Sequence, residues 1–223
     1  MPQKLKNRLL LFLILFFTIN KSYSMGAEFT IARLKYGGGG DWYNDPSLVP
    51  NLAKKIQKNT KINISLKEKV VSLGDEDLFS YPFLFATGHG NIKFSDSEIA
   101  RLRVYLANGG FIYVDDDYGM DKYFRQEIKK IFPDDKLIEL PFSHPIYHLV
   151  YDFPQGLPKI HEHYPGSPQG FGIFHEGKLV LFYTYNTNIS DGWVSPEVYN
   201  DSPEVRKKAF EMGINIITYA LLY

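Results

Sequence analysis

Two short segments of the 223-residue chain, residues 82–87 and 111–114, are almost wholly apolar. A strand that is apolar on both sides is typical of a parallel sheet whose two faces are covered by helices. Helix-like segments separate these strands from the others, as parallel connections require. The sequence therefore predicts an α/β protein with a mostly parallel sheet between two layers of helices.

Other strands are predicted at residues 29–35, 62–66 and 137–140, and a hairpin at residues 171–174 and 178–185. A helix is predicted over residues 46–60, where Leu48, Leu52 and Ile56 form a buried stripe. Ser95 and Glu98 form a capping box that opens the next helix. Further helices are predicted at residues 120–132 and after Ser202. Residues 141–170 contain six prolines and are predicted to be an insertion or loop.

The first 24 residues have the layout of a secretory signal peptide. Lys4, Lys6 and Arg8 precede an apolar run over residues 9–17, and residues 22–24 offer a small-x-small cleavage site. The alternative, an uncleaved anchor, would need about 20 apolar residues. We therefore expect an exported protein, periplasmic or secreted, with one domain over residues 25–223 and no stable membrane span after signal cleavage.

The composition excludes several classes of chemistry and partner. The chain has no cysteine, which excludes disulfides, thiolate catalysis and thiolate metal sites. Lys plus Arg and Asp plus Glu number 25 each, and four of the cations lie in the predicted signal peptide, so the remainder carries about 21 − 25 = −4. A mildly acidic chain without a basic stripe is not expected to bind nucleic acid.

Polar residues gather where three predicted strands end. Asp41 follows a run of four glycines, His89 lies between two glycines, and Asp115 and Asp116 follow the strand at residues 111–114. Because the carboxyl ends of parallel strands share one edge, we expect a ligand site there, although turns and packing would also account for each residue. The predicted ligand-binding residues are Asp41, Trp42, Tyr43, His89, Asp115, Asp116 and Trp193.

Three consecutive aspartates repel one another, which raises the pKa of at least one. We expect Asp117 or Asp121 to cap the following helix, whose amino end favours negative charge. Asp115 or Asp116 would then be left for a ligand, a cation or a buried arginine.

Four histidines are candidate metal ligands. His144 and His148 are four residues apart, which would place them on one helix face, and His161 and His163 would share one face of an extended strand. These spacings suit a divalent metal such as zinc, although no cofactor is required by any motif. The candidate catalytic residues are Asp116, His89 and His144.

Several motifs, in this order, resemble the bacterial domain-of-unknown-function family 4159 (DUF4159). They extend over nearly all of residues 28–223 and include Ala32-Arg33-Leu34-Lys35-Tyr36-Gly37-Gly38, Asp41-Trp42-Tyr43, Thr87-Gly88-His89, Asp115-Asp116, Ser143-His144-Pro145-Ile146-Tyr147, Asp191-Gly192-Trp193 and Gly213-Ile214-Asn215-Ile216.

The resemblance implies a class I glutamine amidotransferase-like, or flavodoxin-like, three-layer sandwich, but no settled activity. True class I amidotransferases carry a cysteine on the elbow after a central strand. The comparable turn here is expected to hold Asp115 and Asp116, and the chain has no cysteine. Glutamine hydrolysis by that route is therefore excluded.

Three functions are consistent with this sequence. The first is a binding module that recognises a small molecule, a glycan or a protein at the carboxyl-end edge of the sheet. The second is a hydrolase, metal-assisted or dependent on Asp116 with His89 or His144, that acts on an envelope sugar or peptide. The third is a scaffold subunit of an exported complex. Fold alone does not choose among them.

Overall fold

A computed structural model describes residues 28–223 of the chain. The predicted signal peptide lies outside these residues. The strands are β1 (Ala32–Leu34), β2 (Lys69–Val71), β3 (Phe83–His89), β4 (Phe111–Tyr118), β5 (Ile138–Glu139), β6 (Gln169–His175) and β7 (Lys178–Tyr185). The α-helices are α1 (Leu48–Asn59), α2 (Asp96–Ala107), α3 (Asp121–Ile131), α4 (Pro196–Tyr199) and α5 (Pro203–Leu222). Short 3-10 helices cover Glu76–Ser80, Pro145–Tyr147 and Ser190–Trp193.

The seven strands form one sheet in the order β2-β1-β3-β4-β7-β6-β5. The strands β2, β1, β3, β4 and β7, neighbours in this order, are parallel. β6 is antiparallel to both of its neighbours, β7 and β5, so it is the one strand of this sheet that runs in the opposite direction. β2 lies on one side of β1 in the sheet, and β3, the next strand along the chain, lies on the other side of β1. The gap between the loops that follow β1 and β3 is therefore a topological switch point.

Each face of the sheet carries its own hydrophobic core, because side chains alternate along every strand. Phe83 and Phe85 of β3 belong to a cluster with the apolar faces of α1 and α5. Leu84 and Ala86 belong to a second cluster with α2 and α3. The structure thus confirms an α/β fold with a mostly parallel sheet covered on both faces.

Most of the predicted elements are confirmed. Leu48, Leu52 and Ile56 are buried on α1, and the capping box of Ser95 and Glu98 opens α2. Ser202 caps α5, and β6 and β7 form the predicted hairpin. None of the helices in residues 28–223 is long and apolar enough to span a membrane.

Two strand predictions are wrong. Residues 62–66 make only an isolated bridge, between Ile64 and Phe29. The strand on this side of β1 is instead β2, a few residues further along the chain. β4 extends to Tyr118, so the three aspartates lie within the strand and not in a turn after it. Asp115 and Asp116 therefore do not occupy an elbow; the chain turns later, at Gly119, whose φ is +76°.

Candidate functional site

The carboxyl ends of β1, β3, β4 and β7 lie at one edge of the sheet, as expected for parallel strands. The loop after β1 is held against this edge by the buried guanidinium of Arg33. Its Nη1 donates to the carbonyl oxygen of Asn44 at 2.6 Å, and its Nε donates to Glu68 at 2.8 Å. Both ends of the run of four glycines are also held: Gly40 N donates to the carbonyl oxygen of Asn91, and Lys93 N donates to that of Gly37, each at 2.9 Å.

Asp41 and His89 form a close pair at the switch point. The backbone N–H of His89 donates to Asp41 Oδ1 at 2.5 Å, and His89 Nδ1 lies 2.9 Å from Asp41 Oδ2. Gly88 permits this approach, because a Cβ there would lie 2.4 Å from the Tyr36 hydroxyl and 2.9 Å from Asp41 Oδ1. The predicted proximity of the loops after β1 and β3 is confirmed by this contact.

Asp117 lies on the other side of the same imidazole. Its Oδ2 is 3.2 Å from His89 Nε2 and accepts the amide N–H of Asn44 at 2.7 Å. The His89 side chain, 44% exposed, thus bridges a half-buried carboxylate and a buried one at the surface. Burial, and then repulsion by Asp191, holds the pKa of Asp117 well above its usual range.

Asp115 and Asp116 are directed into the protein and do not face this edge. Asp115 Oδ1 accepts the Thr184 hydroxyl at 2.5 Å, and its Oδ2 accepts the Ser190 hydroxyl at 2.7 Å and backbone N–H at 2.6 Å. Asp116 Oδ1 accepts the backbone N–H of Met120 at the start of α3, at 2.8 Å. Burial raises the pKa of Asp115 to about 6 and that of Asp116 to about 7.

These contacts correct three predictions. Asp115 and Asp116 do not face a ligand at the edge, and Asp116 does not contact His89 as a candidate catalytic partner. Asp121 does lie in the first turn of α3, as predicted, but the side chain that accepts a backbone N–H at the start of this helix is that of Asp116, and Asp117 faces the edge. The reason is the alternation of side chains along β4, which directs Asp116 to one face and Asp115 and Asp117 to the other.

The predicted aromatic residues divide into surface and core. Trp42 is half-buried beneath Lys35, whose Nζ lies 5.7 Å from the ring centroid, and Tyr43 packs edge-on against Trp42 and is 65% exposed. Trp193 is 1% exposed and packs against Phe85 in the core, with its Nε1 donating to the carbonyl oxygen of Ala209 at 2.8 Å. Trp193 is therefore a packing residue, and its prediction as a ligand contact is corrected.

His144 and His148 lie at the opposite end of the sheet. His144 packs against Tyr219, which in turn packs against Phe111, the first residue of β4. Six residues of strand, about 20 Å, separate Phe111 from Asp117. The helix expected to align the two histidines is only the 3-10 helix Pro145–Tyr147, and His148 binds Asp152 and the Phe142 carbonyl. His144 is thus not a partner of His89, and the two histidines are not aligned on one helix face as predicted.

His161 and His163 lie at the candidate edge, although they are not in a strand. Ile160 N and His161 N both donate to the carbonyl oxygen of Thr187, which fixes the proline-rich segment beside the end of β7. His161 Nδ1 lies 2.8 Å from Asp191 Oδ2, and its Nε2 lies 3.0 Å from Asp201 Oδ1. The hydrogen bond to Asp191 is the largest contribution to raising the pKa of His161 to about 9.

Asn188 connects the group formed by Asp41, His89 and Asp117 to the group formed by His161, His163 and Asp191. Its amide nitrogen lies 2.8 Å from Asp117 Oδ1, 2.8 Å from His163 Nε2 and 3.1 Å from Asp191 Oδ2. A continuous polar network therefore runs from Asp41 through His89, Asp117 and Asn188 to the histidines. Its members are Asp41, Asn44, His89, Asp117, His161, His163, Asn188, Asp191 and Asp201.

Asn44, Asn188, Asp191 and Asp201 were not among the predicted site residues, and Asp117 was predicted only as a possible helix cap. One signal was available: residues 186–188 follow a buried strand, so the rule that identified His89 also applies to Asn188. Asp201 reaches His161 from just before α5, 40 residues along the chain, and no local pattern marks that contact.

Comparison with protein families adds one decisive match. The model of a domain of unknown function, DUF4159, matches residues 30–221, nearly the whole of the described chain. The chain belongs to the DUF4159 family. No curated protein matches it. The function of this domain is unknown, and the polar network at the edge of the sheet is the feature of the chain that bears on it.

Proposed function

We propose that this DUF4159 protein is an exported binding module that recognises a ligand at the carboxyl-end edge of its sheet. The observation that carries the proposal is the position of His89, exposed at the switch point and held between Asp41 and Asp117. Ligands of open α/β sheets bind outside the carboxyl ends of the strands at such a point. The proposal of export rests on the signal-peptide pattern of residues 1–24.

The edge has the properties of a preformed recognition surface. The carboxylates and the imidazole are held by backbone and amide hydrogen bonds, from Asn44 to Asp117 and from His89 N to Asp41. Tyr118, 48% exposed, stacks on Tyr164 beside them, which gives the polar residues an aromatic flank. A partner rich in hydroxyl or amide donors, such as a glycan or a peptide, fits acceptors beside exposed tyrosines.

We also propose that the fold is flavodoxin-like, in the class I glutamine amidotransferase-like group. Supporting this, strands β2-β1-β3-β4-β7 follow the 2-1-3-4-5 order of flavodoxin-like sheets, with β6 and β5 added at one edge. The fold does not imply glutamine hydrolysis, because a cysteine-free chain cannot form the thioester intermediate of those amidotransferases.

A thermal-shift screen against soluble envelope glycans and peptides tests the binding proposal. We expect a ligand that stabilises the wild-type protein, by about 2.7 kcal/mol at 100 times its Kd. The shift should be lost in His89→Ala and reduced in Trp42→Ala. His175→Ala is the matched control, because His175 also contacts an aspartate, Asp135, but lies at the hairpin on the opposite edge. Shifts that survive both edge substitutions would show that the ligand binds elsewhere.

A second candidate function is an Asp/His-dependent hydrolase, favoured by the contact between His89 and Asp117. Its raised pKa keeps the Asp117 carboxyl a potential proton donor, 3.2 Å from an exposed imidazole. Turnover of an ester, glycoside or peptide substrate that falls at least about 100-fold in Asp117→Asn would support it. Ligand binding without turnover on all three substrate classes would leave the binding module as the function.

A further inference from the structure

The polar network ends in a group of three potential metal ligands. His161, His163 and Asp191 each offer one ligand atom, and these atoms all lie within 4.8 Å of one another. Two imidazoles and a carboxylate are the donor set of many zinc sites. We propose that His161, His163 and Asp191 bind a divalent transition-metal ion of the zinc type. This goes beyond the proposed function, because the ion site does not depend on whether the edge binds another ligand.

The Asp191 carboxylate provides an observation independent of the grouping itself. Its side chain is 3% exposed, and its Oδ1 is buried with no hydrogen-bond partner among residues 28–223. A buried carboxylate oxygen without a partner is costly, and such groups in native proteins have a water, an ion or a role that accounts for them. A cation bound by Asp191 would supply the missing interaction.

Asn188 shows that hydrogen-bond acceptors are in excess beside this carboxylate. Its amide nitrogen has two hydrogens but faces four acceptors: Asp117 Oδ1, the Asp117 carbonyl oxygen, His163 Nε2 and Asp191 Oδ2, at 2.7–3.1 Å. At most two of the four can receive a well-directed hydrogen bond. Acceptors therefore exceed donors around His163 and Asp191, and a metal ion bound there would use the lone pairs that Asn188 does not reach.

His161 has the surroundings of a metal-bound imidazole. Its Nε2 lies 3.0 and 3.1 Å from the two oxygens of Asp201, while its Nδ1 points to the Asp191 carboxylate. Ligating histidines commonly donate their second N–H to a carboxylate, which fixes the ring and raises its basicity. We assign Asp201 this positioning role. His161 would bind the ion through Nδ1, and the proton that Nδ1 shares with Asp191 in the metal-free protein would be released to solvent as the ion binds.

The remaining coordination position would face solvent. His163 is exposed, and its ring packs against Tyr118 at the surface, with 4.9 Å between the ring centroids. Three protein ligands with one open position are typical of zinc sites that bind an exogenous ligand or water.

Zinc binding by the tag-free protein tests this proposal. After chelation and dialysis, isothermal titration with Zn²⁺ should give one ion per chain. His163→Ala should weaken binding by at least about 100-fold, and Asp201→Asn by about 10–100-fold. His163 is the preferred ligand to remove, because it is exposed and its loss leaves the core intact. His148→Ala is the matched control, since His148 is also paired with an aspartate but lies at the opposite end of the sheet.

A second readout separates ligation from a structural role. Co²⁺ should give visible d–d absorption in the wild-type protein and in His148→Ala, and this absorption should be lost in His161→Ala and His163→Ala. A wild-type affinity weaker than about 10 μM would overturn the proposal. Unchanged binding in His163→Ala and His161→Ala would overturn it equally, since the ion would then lie elsewhere. Neither result depends on the glycan and peptide screen, so the two proposals can fail separately.

Discussion

Asp116 and Asp117 are consecutive in β4, yet their carboxylates lie on opposite faces of the sheet. Asp116 accepts the backbone N–H of Met120 at the start of α3, whereas Asp117 accepts the amide of Asn188 beyond the end of β7. One carboxylate is thus committed to the junction between a strand and a helix. The other is part of the candidate site, and the two should respond differently to substitution.

Asp116→Asn should stabilise the protein at high pH. Burial raises the pKa of Asp116 from 3.8 to about 7, so its ionised form is disfavoured in the folded state. Its contribution to stability is therefore fully present below about pH 4 and is lost as the pH rises through about 7. Asparagine stays neutral and can still accept the N–H of Met120. Thermal unfolding should show a higher Tm than the wild type at pH 8, by about 2–4 °C per kcal/mol, and little difference at pH 4.

The pH dependence is the decisive part of that measurement. Equal changes in Tm at pH 4 and pH 8 would contradict it, because they would mean that the substitution acts on packing and not on ionisation. Asp75→Asn, at an exposed carboxylate in a turn, is the control and should show no comparable gain at high pH.

Asp115→Ala should cost about 3–5 kcal/mol in the free energy of unfolding. The wholly buried Asp115 carboxylate accepts hydrogen bonds from the Thr184 hydroxyl and from both the hydroxyl and the N–H of Ser190. Removing it leaves those donors without their partner inside the protein. Urea denaturation measures the loss, and Asp75→Ala, which removes an acceptor at the surface, should cost less than about 1 kcal/mol. A cost below about 1 kcal/mol for Asp115→Ala would refute the prediction.

Arg33→Lys should loosen the loop after β1. The Arg33 guanidinium, 1% exposed, donates to the carbonyl oxygens of Trp42, Asn44 and Asp45, and a lysine cannot reproduce this planar fork. Hydrogen exchange of residues 41–45 should become faster by at least about tenfold, which corresponds to about 1.4 kcal/mol of local stability. Arg103→Lys is the matched control, because Arg103 donates to two carbonyl oxygens near the end of α3. If residues 41–45 exchange no faster, the loop is held by other contacts.

Gly88→Ala should destabilise the protein more than Gly39→Ala. Both glycines have positive φ, +140° and +90°, but a Cβ at Gly88 would lie 2.4 Å from the Tyr36 hydroxyl, whereas one at Gly39 meets nothing within 4 Å. The difference between the two costs therefore measures the steric contact, about 1–3 kcal/mol. Tyr36→Phe removes this hydroxyl together with its hydrogen bond to the Thr87 carbonyl oxygen, so the test is the cost of Gly88→Ala in each background, which should be smaller in Tyr36→Phe than in the wild type. Equal costs for the two alanine variants would rule out the close approach.

Much of the fold could be predicted because its signals are local. The capping box at Ser95 and the stripe of Leu48, Leu52 and Ile56 specify helices within one or two turns of chain. β2 could not be predicted, since its three residues include a lysine and only pairing with β1 makes them a strand. The end of β4 was predicted too early for a similar reason. Three aspartates are unusual in a buried strand, and the residues that hydrogen-bond to them there are distant in sequence, so no local pattern indicates that the strand continues.

The candidate site was predictable as a place but not in its detail. Asp41 and His89 each follow or end a parallel strand, so the strand direction alone places them at one edge of the sheet. The structure shows the two side chains in contact. The three aspartates are chemically identical, so only the register of β4 determines which one faces the edge. The approach of His161 to Asp191 depends on how Thr187 holds a loop without periodicity, and no spacing in the sequence indicates it.

The tether from Arg33 to the loop after β1 also bears on the thermodynamics of recognition. A segment with four glycines in a row would ordinarily lose much conformational entropy when a ligand orders it, and affinity would fall accordingly. Here the guanidinium and the bond from Gly40 to Asn91 set the loop's path during folding. A ligand that arrives at Asp41 and Trp42 therefore meets an ordered surface, and binding should proceed with little change in the backbone of residues 37–45.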